Sequence, residues 1–359
     1  MSNECVYDCE YCPNRRSADA RRARITPDEI CELVINFYKR NYIEGLFLSS
    51  AVFESPNKTM ELLCETVIKL RKLYNFNGYI HLKGIPHADE ALVFKAARLV
   101  DRMSYNIELP SEQSLKLLAP QKTKQSLLLP MKDLRNAMIY DRENKVRHGR
   151  VLPAGQTTQM IIGASPESDG QILRLTESLY RNMELKRVYY SSYIPVVKSS
   201  KLPTVGAGLL REHRLYQADW LLRFYGFDVS EIVDENENLS LEYDPKCNWA
   251  LRNMHLFPVE VNSAPLETLL RVPGIGAKSA KKIIEARKFA QLDFDNLAKM
   301  RIVLKRAKHF ITCKGKFYGS DSFTQVKTAL LIDGRNEVTE QLSMLSSDSV
   351  ALSALTGEV

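Results

Sequence analysis

The chain lacks any long apolar run. Its 359 residues are 45% hydrophobic, yet no stretch approaches the roughly 18–20 apolar residues that a membrane helix requires. No membrane partner is expected. Nor is a secretory signal expected, because Cys5 arrives before any apolar stretch. Histidine is scarce, with six in all; His81, His148 and His213 show no metal-ligand spacing and read as structural or surface residues. No aromatic cage or acid–base pair stands out. There are seven cysteines, but Cys31, Cys64, Cys247 and Cys313 are scattered, which argues against the disulfide framework of a secreted scaffold. Cys31 and Cys64 fall in helix-like segments and are expected in the core. Cys313 sits in a basic stretch, Thr312-Cys313-Lys314-Gly315-Lys316, and its role stays open. Together these absences predict a cytoplasmic enzyme with one large domain and a smaller one.

The other three cysteines are Cys5, Cys9 and Cys12, spaced C-x3-C-x2-C. Three thiolates this close reach one iron–sulfur cluster but supply only three ligands, whereas such clusters normally take four. One iron is left open for a substrate or cofactor, as in catalytic metal sites generally. A zinc knuckle or a chance cluster are the alternatives. Zinc would want a fourth Cys or His nearby, and the nearest candidates are Cys31 and His81.

Strand and helix patterns alternate behind the cysteines. Thr26-Pro27-Asp28-Glu29 is a helix start, with a Thr cap, Pro in the first turn and Glu29 closing a capping box. That helix runs to about Asn41 with Ile30, Leu33, Val34 and Phe37 on one face. Strands are expected at Gly45–Ser50, Gly78–Lys83, Arg102–Leu109, Thr157–Gly163 and Arg187–Val197. Helices are expected at Pro56–Tyr74, Ala88–Leu99, after the Ser111 cap, around Met131–Lys145 and at Gly170–Met183. Such alternation calls for parallel βα units, and right-handed crossovers would curl them into a full or partial barrel. Active sites in barrels lie at the C-terminal strand ends. Ser49, Ser50, Lys83, Glu108, Gly163 and Tyr193 would then share one rim.

The cysteine run, with the aromatic Tyr11 before its last member, resembles the signature of the radical S-adenosylmethionine enzymes. The resemblance implies that Cys5, Cys9 and Cys12 hold a [4Fe–4S] cluster. S-adenosyl-L-methionine would bind the open iron, and one electron, from a donor such as flavodoxin or ferredoxin, would cleave it to a 5′-deoxyadenosyl radical. It implies a partial (β/α)6 barrel over roughly Met1 to Val197. It also implies cofactor contacts from Tyr11, from Ser49 and Ser50 where the superfamily holds the methionyl amino group, from Glu108 at the ribose and from Gly163 at the adenine. An ordinary turn at Ser49-Ser50, and a strand-end ion pair at Glu108, are the plain alternatives. In the superfamily the cysteine loop follows the first barrel strand. Here no strand pattern precedes Cys5, so the first strand is expected to be missing.

Net charge is +7 and unevenly spread. Between Ala264 and Tyr318 thirteen Lys/Arg face four acids, an excess of nine. A polyanion is the expected partner of that module. Within it, Pro273-Gly274-Ile275-Gly276-Ala277-Lys278 sits between a short helix, with Ser263 as cap and Pro265 near its start, and a second helix. A glycine-rich turn opening a helix presents free N–H groups to an anion. The run resembles the helix-hairpin-helix motif of DNA repair and recombination proteins. Gly274, Ile275, Gly276, Lys278, Lys281 and Lys282 would grip backbone phosphates without reading sequence. A protein-contact hairpin is the alternative. Arg15, Arg16, Arg21, Arg22 and Arg24 form a second basic run. It is either a nucleic-acid grip or a solvated surface.

The expected boundaries are 1–200 for the barrel, 201–258 for a connecting helical and linker region, 259–318 for a small all-α helix-hairpin-helix domain, and 319–359 for a partly ordered tail. The pairing of modules resembles one family, the DNA modification/repair radical SAM proteins. That implies action on a nucleotide in DNA and a uracil-DNA-glycosylase-like partner. Radical tRNA modification, or a non-catalytic iron–sulfur protein that binds DNA or senses redox state, are the competing expectations.

Overall fold

The computed structural model describes residues 1–320 and 322–331. The chain divides into two units. The first holds Met1–Glu167 and Leu175–Ala207; the second holds Ser168–Arg174 and the chain from Gly208 onward. Among the described residues no helix is long and apolar enough to cross a membrane.

The first unit is built on strands β1 (Gly45–Leu48), β2 (Tyr79–Lys83), β3 (Arg102–Ser104), β4 (Gln156–Ile162) and β5 (Arg187–Ser192). They pair in sequential order and all are parallel. The connections carry α2 (Pro56–Ile68), α3 (Glu90–Ala97), α4 (Glu112–Leu118), α5 (Lys124–Glu143) and α6 (Asp169–Met183), and α1 (Pro27–Lys39) precedes β1. This is a curled half-barrel sheet of five parallel strands.

One face of this sheet is the core. Leu48, Ile80, Leu82, Met103, Met160, Ile162, Val188 and Tyr190 are all buried, the face on which helices return. Arg71 secures the start of β2. Its Nη1 donates to the carbonyls of Phe76 at 2.6 Å and Gly78 at 2.7 Å, and Nη2 pairs with Asp101 at 2.8 Å.

The expected elements recur with physical corrections. The Thr26–Glu29 capping box is present, but α1 buries Ile30, Cys31, Val34 and Ile35 while Leu33 and Phe37 stay exposed. The buried stripe is rotated by about one residue from the expected one. α5 begins at Lys124 because Thr123 and Ser126 cap it reciprocally, and Pro130 is carried inside the helix. β3 stops at Ser104, short of Leu109, and Glu108 takes a left-handed φ of 64°. The fifth strand ends at Ser192.

The second unit contains α7 (Leu209–Phe224), α8 (Val229–Ile232), α9 (Pro245–Arg252), α10 (Leu266–Arg271), α11 (Ala277–Ala286), α12 (Phe294–Lys299) and α13 (Leu304–Ala307). Pro265, not Ser263, is the cap residue of α10. Beyond these helices, the helix-hairpin-helix region carries a three-stranded sheet, so it is not all-α. β6 (Val259–Glu260) pairs parallel with β7 (Ile311–Cys313), which pairs antiparallel with β8 (Lys316–Phe317). The turn Lys314-Gly315 has positive φ at both residues, 53° and 73°, the conformation of a tight hairpin. Cys313 is buried in this sheet. Of the expected tail, Val326 and Leu330 are buried, and residues 332–359 lie outside the described part.

Glu260 binds this small sheet together. Its carboxylate accepts from the N–H groups of Asn262, Lys314 and Gly315 and from the Thr312 hydroxyl, at 3.0–3.2 Å. Burial opposes the charge, but these bonds outweigh it and hold the carboxyl at about 2, below its ordinary 4.5. A depressed carboxyl pKa stabilises the fold above the ordinary value, and that contribution is lost as pH falls through the folded one. Glu260→Gln should therefore lower stability by about 1–2 kcal/mol near neutrality. Thermal melts across the acid range should show the variant and the parent converging as pH falls from 4.5 towards 2.

Candidate functional site

The N-terminal segment lies along the C-terminal ends of the strands. The Met1 ammonium donates to the Ser49 carbonyl at 2.7 Å, and Ser2 N–H donates to Ser50 Oγ at 3.2 Å. Ala51 N–H returns a bond to Ser2 O at 2.8 Å, and Val6 N–H reaches Val52 O at 2.8 Å. Beyond β2, Tyr7 Oη donates to Pro86 O at 3.4 Å. Glu10 N–H donates to Leu118 O at 2.8 Å, at the end of α4. After β5, Ser199 and Lys201 hold the Glu10 carboxylate at 3.0 and 2.9 Å. One short segment thus spans the rim from β1 to β5.

Cys5, Cys9 and Cys12 occupy this segment as free thiols. The loop closes on itself through Cys12 N–H to Cys9 O at 3.0 Å and Arg16 N–H to Tyr7 O at 2.9 Å. Cys9 is buried; Cys5 and Cys12 are half-buried. Burial pushes the Cys9 thiol up to about 11, with Lys122 pulling the other way. Burial also raises the Cys12 thiol, and its next-largest cause, a backbone bond from Asn14, lowers it. Among the described residues no three Cys, His, Asp or Glu side chains converge on a single point as a preformed ion cage. A single zinc needs such convergence at about 2.0–2.3 Å. A cubane does not, since each thiolate takes a different iron. The donor set, three thiols on one loop, fits a [4Fe–4S] cluster with an open iron.

Beneath the loop lies a buried ion pair, the strand-end pairing weighed for Glu108, with Lys122 as its partner. Lys122 Nζ sits 3.0 Å from Glu108 Oε1, with side chains only 13% and 10% exposed. Burial alone would lower the Lys122 ammonium. Glu108, then Cys9, reverse that and hold it above its ordinary value. Glu108 reaches this place through its left-handed backbone, bridging to β4 through its N–H to Gln159 O and its carbonyl to Ile161 N–H. The Tyr11 hydroxyl is buried beside the Cys9 thiol. Burial, then Glu108 and Cys9, keep its phenol well above the ordinary range. Cys9, Cys12, Tyr11, Glu108 and Lys122 therefore share one electrostatic environment. Lys122 lies on the turn between α4 and α5, where sequence periodicity gives no signal.

The other expected residues fall out as follows. Ser49 and Ser50 anchor the N-terminal segment. Gly163 follows β4 with φ of 83°, a conformation that favours glycine. Two of the five arginines are used inside the loop. Arg22 donates to the carbonyls of Asn3, Asn14, Arg15 and Ala18, and Arg15 pairs with Glu10 at 2.8 Å. Arg16, Arg21 and Arg24 stay exposed.

In the second unit the turn between α10 and α11 is held from below. Gly274 has φ of 86°, and a Cβ there would meet Val303 O at 2.6 Å. Ile275 is fully buried; its N–H donates to Val272 O and its carbonyl accepts from Lys246 at 2.6 Å. Ile275 therefore builds the turn and offers no group to a phosphate. Ala277 N–H reaches Tyr225 Oη at 3.3 Å. Lys278, Lys281 and Lys282 are exposed along α11.

Replacing Lys122 by Met leaves the Glu108 carboxylate buried and unpaired. Stability should fall by about 3–5 kcal/mol. Pairing the change with Glu108→Gln should restore most of it, and a double-mutant cycle in denaturant measures the coupling.

Residues 257–316 match the family model of the helix-hairpin-helix motif. No curated protein matches the chain. Among solved structures, the chain is similar to the X-ray structure of the FeFe-hydrogenase maturase HydG from Carboxydothermus hydrogenoformans, with 13% identity, 62% of this chain and 49% of that chain covered, and a TM-score of 0.46. It spans about half that maturase's length. A second structure of HydG, described as a maturase of the FeFe-hydrogenase, shows 14% identity, covers 84% of this chain and 78% of that one, and has a TM-score of 0.45. The cobalamin-dependent S-adenosylmethionine radical enzyme OxsB, solved with aqua-cobalamin and S-adenosylmethionine bound, shows 12% identity over 99% of this chain and 57% of its own, with a TM-score of 0.36.

Proposed function

We propose that this chain is a radical S-adenosylmethionine enzyme that modifies or repairs a nucleotide in DNA. The observation that carries the reading is the position of three free thiols on one loop along the C-terminal rim of a parallel half-barrel. Cys5, Cys9 and Cys12 would ligate three irons of a cluster. When bound, the cluster and S-adenosylmethionine supply a carbon-centred radical able to abstract hydrogen. The chain's own residues prepare the place. Bonds at Ser49, Ser50, Ala51 and Val52 hold the loop, and the Lys122 ammonium offsets the negative charge of the thiolates. The helix-hairpin-helix, with its excess of positive charge, supports DNA as substrate through backbone phosphates. The family resemblance adds a flavodoxin or ferredoxin as electron donor and a uracil-DNA-glycosylase-like partner, and the composition of the chain supports a cytoplasmic setting.

Anaerobic reconstitution with iron and sulfide, followed by reduction and addition of S-adenosylmethionine, should release 5′-deoxyadenosine. Cys9→Ala should abolish it, and duplex DNA should stimulate it. No release from a protein that holds the cluster would overturn the enzyme reading; release stimulated by tRNA but not DNA would overturn the substrate. For the second module, Lys278→Glu, Lys281→Glu and Lys282→Glu should each weaken duplex binding regardless of sequence. Each should also cut the salt dependence of log affinity by roughly one unit, read by titrating labelled DNA at several salt concentrations.

A further inference from the structure

The second face of the five-stranded sheet is unlike the first. Parallel sheets are usually apolar on both faces. Residues paired across parallel strands point the same way, and the register aligns Phe47 with His81 and Arg102, and Lys83 with Ser104, Thr157 and Arg187. Two positions beyond Arg187, on the same face, stands Tyr189. At the base of β2, Tyr79 completes the set. No strand of this sheet contains an aspartate or glutamate. The face is thus a mixture of flat rings and cations.

Several contacts arrange these groups. The Phe47 and His81 rings lie 4.6 Å apart. The Arg187 guanidinium lies 4.7 Å over the Tyr189 ring. Arg102 is steadied by bonds to Ala154 O at 3.0 and 3.3 Å. Lys83 has no carboxylate partner among the described residues. Burial, then Arg102 and Lys83, push His81 down to about 4, so its imidazole is neutral and offers one donor and one acceptor. Phe47 and Tyr79 remain 43% and 41% exposed.

A second observation is independent of charge. His81 Nε2 and Thr157 Oγ1 on this face, and Tyr193 Oη just past β5, are buried without hydrogen-bond partners. Orphaned buried polar atoms are uncommon and call for an explanation. Here a ligand edge would satisfy them.

We propose that this face is a nucleotide pocket, taking one nucleotide drawn out of a DNA strand, with its base against Phe47, Tyr79 or Tyr189 and its phosphates on Lys83, Arg102 and Arg187. Rings offer a stacking surface to any base, and cations track the backbone. Chemistry on a base requires that it leave the duplex stack. Lys83, the last residue of β2, lies at the rim where the cysteine loop runs, while Tyr79, Arg102 and Arg187 open their strands at the other end, so the part of a nucleotide nearest Lys83 approaches the proposed radical centre. This deepens the reading of the chain as a DNA-acting enzyme and rests on it. It is tested without the cluster, so its failure is distinct from failure of the radical chemistry.

The experiment uses the full chain without iron and a fluorescein-labelled single-stranded DNA of about six nucleotides. Binding is followed by anisotropy beside a labelled duplex. Phe47→Ala and Lys83→Glu change exposed or unpaired groups, and thermal melts check that each variant folds. The double variant should bind the single strand about tenfold or more weakly and leave duplex affinity unchanged. A bromodeoxyuridine-substituted strand should photo-crosslink to peptides of β2 or β5. Wild-type affinity in the double variant, equal losses for strand and duplex, or crosslinks confined to residues 264–318 would each overturn the pocket.

Discussion

Backbone hydrogen bonds between the N-terminal segment and the chain just beyond β1 set the position of everything chemical in the first unit. Ser49, Ala51 and Val52 would otherwise leave backbone groups unpaired at a strand end, which is costly in a partly buried place. Met1, Ser2 and Val6 satisfy them. These bonds hold the cysteine loop on the rim.

Charge balance under the loop is the second constraint. Three thiolates next to the Glu108 carboxylate would place several negative charges in a poorly hydrated region. Lys122 is the counterweight, and its ammonium is held charged by Glu108 and Cys9 against the cost of burial. The same logic separates the two faces of the sheet. One is apolar and closed by helices; the other keeps cations, rings and unsatisfied polar atoms, and is stable only because it stays partly wet or takes a ligand.

Much of this was legible in the sequence for identifiable reasons. The C-x3-C-x2-C run is local and needs no folding to be seen. The capping box at Thr26 and the alternation of strands and helices are local too, so the five strands emerged in the right order. Long-range features were hidden. The Glu108–Lys122 pair depends on a left-handed residue after β3 and a turn after α4, neither of which has a period. Leu33 and Phe37 were misplaced because apolar spacing defines a stripe only to within a residue. Arg22 read as either a nucleic-acid grip or a solvated residue, because sequence does not show carbonyls; folded, it meets four of them. Ile275 looked like part of a phosphate clamp and proved to be core. The small sheet around Glu260 was missed because its strands are two or three residues long.

The central claim is that the rim holds a cluster with three protein ligands and one open iron. Electron paramagnetic resonance of the reduced, reconstituted protein tests it most directly, recorded before and after adding S-adenosylmethionine. The account predicts a [4Fe–4S] signal whose g-values shift on addition, because the cofactor binds the open iron, and whose loss follows Cys5→Ala, Cys9→Ala or Cys12→Ala. A cluster signal indifferent to S-adenosylmethionine would contradict it, since the fourth iron would then be closed by the protein itself.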